Sequence, residues 1–280
     1  MVAGLYLVAT PIGNAADITL RALDTLRRAD LLACEDTRVT RKLLGMHGID
    51  RPGASLVAYH DHNAASMRPR LLSHIAAGGS VALVTDAGSP CVSDPGYKLV
   101  EAATEAGLPV TTLPGPVAAI VALQLSALPT DRFMFAGFPP PKSGARQRVF
   151  AELANVPATL VFYEGPSRVA ACLADMAASF GNRRAAVARE LTKLFEEVKR
   201  GSLEELAAFY EAGGPPRGEV AIVVAPPSQQ TTSDSDLDTL LVKALKEQSI
   251  KDAVAGVAAA TGRRRRDVYT RALELSGEQE

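Results

Sequence analysis

The chain has 280 residues, enough for about two domains, and its 47% hydrophobic and 22% charged composition is that of a globular protein rather than a disordered or fibrous one. A formal net charge of −1 excludes a global electrostatic pull toward nucleic acid, so any basic surface is local. Cys34, Cys91 and Cys172 lack metal-ligand spacing, the apolar runs fall far short of the ~20 residues of a membrane span, and a strand-like segment begins at Leu5 with no charged leader; together these read as a reduced, metal-free, cytoplasmic protein.

In chain order, Leu5 to Ala9 is the first predicted strand, with Thr10-Pro11-Ile12-Gly13-Asn14 as its loop. Asp17 is the expected N-cap of a helix that turns Ile18, Ala22, Leu23 and Leu26 to one face. Leu31 to Cys34 is a strand ending in Glu35-Asp36-Thr37-Arg38, followed by a basic helix through Arg41 and Lys42. Leu56 to Tyr59 is closed by His60-Asp61-His62-Asn63, and a helix from Ser66 to Ala77 leads to the next strand.

That strand, Val81 to Val84, organises the chain. Its β-favouring run stops at a loop rich in special residues, Thr85-Asp86-Ala87-Gly88-Ser89-Pro90-Cys91-Val92-Ser93, and Asp94-Pro95-Gly96 then opens a helix. In open α/β sheets the C-terminal strand ends are where ligands sit. A helix from Tyr97 to Ala106, a strand from Val110 to Leu113, the turn Pro114-Gly115-Pro116 and an apolar helix from Val117 to Leu125 complete a β-α alternation that predicts a largely parallel sheet.

Strands recur at Phe133 to Phe138, Thr159 to Tyr163, Arg184 to Ala188 and Val220 to Ala225, with helices at Ser167 to Ser179 and Ser202 to Tyr210. Residues 139–146 read as a mobile basic loop. Two α/β domains, 1–118 and 119–226, a linker over 227–236, and a helical extension over 237–280 are the expected organisation. The extension carries helices at Leu237 to Lys246, Ile250 to Ala260 and Val268 to Leu275, with Gly262 allowing a helix-turn-helix shape.

Gly13 stands alone where a dinucleotide fold needs G-x-G-x-x-G, although Glu35 sits where a ribose-binding acid belongs; P-loop and G-x-S-x-G signatures are missing. His60 and His62 lack a clear third metal ligand. Strand ends with Glu164 and Arg168, and with Arg189, Glu190 and Lys193, read as opposite charges lining a cleft. Arg263, Arg264, Arg265 and Arg266 form an arginine run suited to phosphate oxygens, or else a solvated helix end.

The ordered motifs ATPIGN, LACEDTR, AYHDHN, VTDAGSPCVSDPG, LPGPVAA, VFYEGPSR, ARELTKLFEE and GEVAIVV resemble the ribosomal RNA small-subunit methyltransferase I family, within the tetrapyrrole methylase superfamily, over about residues 4–226. The last fifty residues look like that family's helix-turn-helix extension. The resemblance implies two α/β domains of the tetrapyrrole methylase type closing on S-adenosylmethionine, a homodimer, and 2′-O-methylation of a cytidine ribose in the decoding centre of 16S rRNA within the small ribosomal subunit. It implies cofactor contacts at Ile12, Ala87, Gly88, Ser89, Val92, Val117, Ala118, Glu164 and Leu191. The superfamily's G-x-G-x-G-D and G-G-D-P loops are ATPIGN and AGSP here, so the family's usual carboxylate is absent at Ser89.

Methyl transfer from a sulfonium needs no metal, and a base that takes the hydroxyl proton helps it. Asp36, His60 and Asp86 are the expected catalytic residues, with Glu164 and a neutral Lys142 as further candidates for the base. Arg38, Lys142, Arg146 and Arg168 are expected to position phosphates, and the arginine run to bind rRNA. A tetrapyrrole C-methyltransferase and a non-catalytic RNA-binding module remain the rival readings.

Overall fold

A computed structural model describes residues 1–93, 96–227, 234–261 and 263–277, and side chains for these except 234–236. The expectations for Asp94, Pro95, Gly262 and most of the 227–236 linker lie outside the described residues.

The first sheet is built from β1 (Gly4–Val8), β2 (Leu31–Cys34), β3 (Leu56–Ala58), β4 (Ser80–Val84) and β5 (Val110–Leu113), in the spatial order β3-β2-β4-β1-β5. Every pairing is parallel, as the β-α alternation predicts. β4 lies at the centre and is buried along its whole length, which is why its sequence after Ser80 is a continuous apolar run rather than an alternating one. Helices α1 (Leu20–Arg28), α2 (Thr37–Met46), α3 (Ala64–Ala76) and α4 (Tyr97–Glu105) connect the strands. Leu26, Leu32, Leu44 and Val84 anchor the core on one face, and Leu5, Tyr59, Leu71 and Leu99 that on the other.

The start of α1 differs from expectation. Asp17 lies inside a short 3-10 turn whose cap is Asn14, and Thr19 caps α1 by accepting from Ala22 N at 3.1 Å. Such a cap stabilises a helix by ~1 kcal/mol, and Thr19 holds the position just before the first helical residue where a side-chain oxygen reaches the free N–H groups.

α5 (Ala118–Leu125) packs on the second sheet: Ala119, Ala122 and Leu123 share a core with Val161, Ala188 and Val223. That sheet comprises β6 (Phe133–Phe135), β7 (Thr159–Glu164), β8 (Arg184–Arg189), β9 (Glu197–Ser202) and β10 (Val220–Val224), in the order β6-β7-β10-β8-β9. Only the β6–β7 pairing is parallel. β9 was not legible in the sequence because its residues, Glu-Val-Lys-Arg-Gly-Ser, form a polar edge strand with no apolar run. Residues 139–146 are not wholly a loop either: α6 (Ser143–Leu153) begins at Ser143 and buries Arg146 and Phe150. α7 (Val169–Phe180) and α8 (Leu203–Gly213) complete this half, the latter opened by a capping box between Ser202 and Glu205.

Spatial proximity divides the chain into two compact units: residues 1–152 with 159–225, and residues 226–280 with 153–158. The second contains α9 (Asp234–Leu245), α10 (Ile250–Thr261) and α11 (Arg265–Ser276), held by Leu237, Leu241, Val254, Val257, Val268 and Ala272. Among the described residues no helix is long and apolar enough to cross a membrane.

Candidate active site

Loops from the C-terminal ends of β1, β4 and β5 meet loops of the second sheet around a cavity of about 410 Å³. Ile12, Ala87, Gly88, Ser89, Val92, Val117, Ala118, Glu164 and Leu191 all border it. So does Asp86, whereas Asp36 and His60 do not. Glu35, Phe138, Tyr163 and Glu219 also contribute to the wall. Tyr163 was legible only as the member of a strand; its role follows from its hydroxyl, which accepts from Ala119 N at 2.9 Å and so ties β7 to the start of α5.

Backbone geometry shapes this space. Thr10 and Gly88 form a reciprocal bridge (2.8 and 3.1 Å) that joins the loops after β1 and β4. Gly88 has φ +85°, and a Cβ there would lie 3.6 Å from Ile12 Cγ2, inside the cavity wall. Cys91 (φ 72°) and Ser93 (φ 63°) continue the same loop, and Glu190 (φ 48°) and Thr192 (φ 64°) flank Leu191 in the facing one. Non-glycine residues held at positive φ cost of order 1–3 kcal/mol each and gather where the surrounding structure fixes a functional loop.

The two facing loops touch. Asn14 N donates to Thr192 Oγ1 at 3.1 Å, and a Cβ on Gly13 would come within 2.5 Å of Lys193 Cγ. Lys193 in turn bonds Glu190 Oε1 (2.9 Å) and Glu219 Oε2 (3.0 Å). Burial alone would push the lysine down, but these two carboxylates outweigh it and raise its pKa.

The three candidate catalytic residues have different fates. Burial pushes the Asp86 carboxyl above the ordinary range; the Asp36 N–H bond opposes this, and the nearby charges of Glu35 and Asp36 add to the rise. Asp86 Oδ1 accepts from Asp36 N at 3.0 Å, and no hydrogen bond within the described residues reaches Oδ2. Asp36 goes the other way: the Arg38 guanidinium and the Arg38 N–H bring it down to about 2. It serves as the N-cap of α2 and the partner of an exposed arginine. His60 lies beyond β3 at the sheet's edge; its Nδ1 is buried without a hydrogen-bond partner, and its ring sits 5.9 Å from that of His62. Among the described residues no cluster of three metal-ligating side chains occurs.

Glu164 borders the cavity at the end of β7, but its carboxylate is engaged by Arg168 Nε and Gly165 N, both at 2.7 Å. With Phe162, two residues earlier on the same strand face, it is turned toward α7, where it raises the buried Cys172 thiol's pKa further after burial has done so. Both bonds fall on Oε1, and Oε2 is buried without a hydrogen-bond partner.

The phosphate-contact set needs one correction. Arg146 is buried, paired with Asp175, and bonded to the carbonyls of Pro141 and Ala171. Burial would raise Asp175, but Gln147, Arg146 and Ser143 together hold it below its usual value. The arginine is spent on joining α6 to α7 and has no donor left for a phosphate. Lys142 and Arg38 are exposed, and the Arg168 side chain is partly so.

The donor set suits S-adenosylmethionine. Glu35, Asp86 and Glu219 supply negative charge for a cationic ligand, Ile12, Val92, Val117, Leu191 and Phe138 supply apolar wall, and the start of α5 leaves backbone N–H groups for a carboxylate. Gly88 keeps open the space that a side chain would fill.

Residues 4–207 match the family described as Tetrapyrrole (Corrin/Porphyrin) Methylases, and residues 231–276 match the RsmI C-terminal HTH domain. The chain is 51% identical to a ribosomal RNA small subunit methyltransferase I of Erythrobacter litoralis, covering 97% of this chain and 95% of the relative. It is 49% identical to the protein of that name from Mesorhizobium japonicum, over 97% and 92%. Among solved structures, the uroporphyrin-III-C-methyltransferase of Thermus thermophilus superposes with a TM-score of 0.57 at 23% identity, covering 80% of this chain and 94% of that one, which establishes a shared fold.

Proposed function

The chain belongs to the ribosomal RNA small subunit methyltransferase I family of tetrapyrrole methylases, and from that premise we propose that it methylates 16S rRNA, using S-adenosylmethionine to modify the 2′-hydroxyl of a cytidine in the decoding centre. The observation that carries the reading is a polar-and-apolar cavity at the strand ends, bordered by Asp86 and by all nine residues expected at the cofactor. A related uroporphyrin-III C-methyltransferase from Thermus thermophilus, described in complex with S-adenyl homocysteine, has a TM-score of 0.54 to this chain and supports the choice of methyl donor.

When bound, S-adenosylmethionine supplies an electrophilic methyl group on a sulfonium. The chain's residues do the rest. Loops of both sheets hold and orient the reactants, which is the main source of acceleration for a displacement. Asp86 Oδ2 takes the proton of the 2′-hydroxyl; its raised pKa makes it a stronger base than Asp36. Lys142, Arg168 and Arg38 hold phosphates of the substrate strand, and Arg146 is not among them. Residues 1–118 and 119–226 act as the two lobes of the cleft, and 237–280 as an RNA-gripping extension.

A cytoplasmic location follows from the proposed substrate, and the exposed neighbours Leu194 and Phe195 (89% and 68%) support a homodimer contact. The deciding experiment incubates small subunits lacking the native modification with tritiated S-adenosylmethionine, then digests the RNA to nucleosides. Label in 2′-O-methylcytidine is the expected result; label in a base, or none with the cofactor bound, overturns the assignment.

A further inference from the structure

The four consecutive arginines do not act as one patch. Arg264 Nε donates to Asp267 Oδ2 at 2.8 Å, while Arg266 Nε lies 4.0 Å from the same carboxylate's other oxygen. Arg265 and Arg266 instead join Lys251, Val254 and Tyr269 around a groove of about 380 Å³ between α10 and α11. Lys251, Arg265 and Arg266 are exposed, and Tyr269 is 47% exposed, whereas Val254 is buried and closes the floor. No carboxylate is among the lining residues.

Residues 226–280 carry eight basic and nine acidic side chains, so this unit is not basic as a whole and the positive charge is concentrated at the groove. Three like charges whose nearest counter-charge is Asp267, already bonded to Arg264 and 4.0 Å from Arg266, repel one another, and an anionic ligand relieves that repulsion. The half-exposed aromatic ring and apolar floor select an anion with a flat, stackable part. Nucleotides meet both demands, since every base has a π-face and every linkage a phosphate.

The footprint is short. Further along α11, Arg271 is bound to Asp238 and Glu274 at 2.6 Å each, and Glu274 is exposed, so cationic surface is confined to the helix's first turn. Duplex reading would need a longer positive face. We propose that this groove binds single-stranded RNA by taking one unstacked nucleotide, its base against Tyr269 and its flanking phosphates on Lys251, Arg265 and Arg266. That the strand is RNA, and that it is the small-subunit substrate, rests on the function proposed above; the groove's fit to a single-stranded nucleotide chain does not.

The test uses the full chain and fluorescein-labelled decauridylate in fluorescence anisotropy. Tyr269→Ala weakens binding by about five-fold or more, as loss of one base stack does, while Tyr269→Phe retains it. Arg265→Ala and Arg266→Ala weaken it and each lower the salt slope by about one phosphate contact. S-adenosylmethionine affinity and thermal melting stay at the parent values in all four variants. Unchanged oligonucleotide affinity in Tyr269→Ala, an equal loss in Tyr269→Phe, or competition by polyglutamate as strong as by polyuridylate overturns the proposal, the last in favour of an acidic peptide. Failure of the parent chain to methylate small subunits would sink the proposed function and leave these binding outcomes readable.

Discussion

The backbone N–H of Asp36 donates to Asp86 Oδ1 at 3.0 Å, so the ends of two adjacent strands are tied together by the side chain that borders the cavity. The tie runs both ways, because Glu35 Oε2 accepts from Thr85 Oγ1 at 2.8 Å and from Asp86 N at 3.2 Å. Three acids thus share one corner, and an arginine reaches only one of them. Arg38 bonds Asp36 directly, whereas at Asp86 its charge and the Asp36 N–H bond only partly offset burial and like-charge neighbours.

From this asymmetry, Asp86→Asn should lower kcat by about 10²–10⁴, the usual worth of a positioned general base. The parent's rate should rise with pH as Asp86 deprotonates through its elevated pKa. The stability effect has the opposite sign. A carboxyl raised in the folded state contributes stability below its unfolded pKa and loses it as pH rises through the folded value, so the Asn variant should melt no lower than the parent at neutral pH. Single-turnover kinetics and a melting curve check both; a variant with full turnover removes Asp86 from the mechanism.

Asp36 should behave as a structural acid. Asparagine is an equally good N-cap, so Asp36→Asn should keep both the fold and most of the turnover. Removing the guanidinium in Arg38→Ala should bring the Asp36 carboxyl back from about 2 toward the ordinary ~3.9, as read by carboxyl NMR titration. What stability this lowered pKa carries is present above the unfolded value and lost as pH falls through about 2. If Asp36→Asn loses as much turnover as Asp86→Asn, Asp36 is not merely a structural acid; full turnover in Asp86→Asn with loss in Asp36→Asn would make Asp36 the proton acceptor.

Replacing Asp175 by alanine should destabilise the fold by about 3–5 kcal/mol, because it strands Arg146 as a buried, unpaired charge. Denaturant unfolding measures this directly. RNA affinity, compared under conditions where the variant stays folded, should be unaffected, and a selective loss of RNA binding would restore Arg146 to the phosphate-contacting set.

What the sequence disclosed depended on how local the signal was. β4 and its loop were legible because a fully buried parallel strand must be apolar throughout, and its abrupt end in Asp86-Ala87-Gly88-Ser89 marks a shaped turn. Cofactor-wall residues followed from motif resemblance. Arg146 was misread because its own segment looks like a polar loop, and the carboxylate that claims it is Asp175, far along the chain. Similarly, nothing local separates Asp36 from Asp86; the distinction arises from Arg38 and from burial at a strand junction. The division of the arginine run likewise depended on Asp267 and on Lys251, which arrives from the preceding helix.

Gly13→Ala tests whether the facing loops must touch for the cavity to form. Its Cβ would meet Lys193 Cγ at 2.5 Å, Thr192 Oγ1 at 2.7 Å and the Leu191 carbonyl at 2.8 Å. The lysine stem can swing aside, but a backbone carbonyl cannot without moving the loop that carries Leu191. Ile12 and Leu191 both border the cavity, so forcing their loops apart should weaken S-adenosylmethionine binding while costing about 1–3 kcal/mol in stability, the range for overpacking. Titration calorimetry separates the two effects: below the melting transition, the loss of affinity should persist. Parent-like affinity in a folded Gly13→Ala protein would mean that the contact between Asn14 and Thr192 is dispensable and that each half of the cavity wall is positioned by its own sheet.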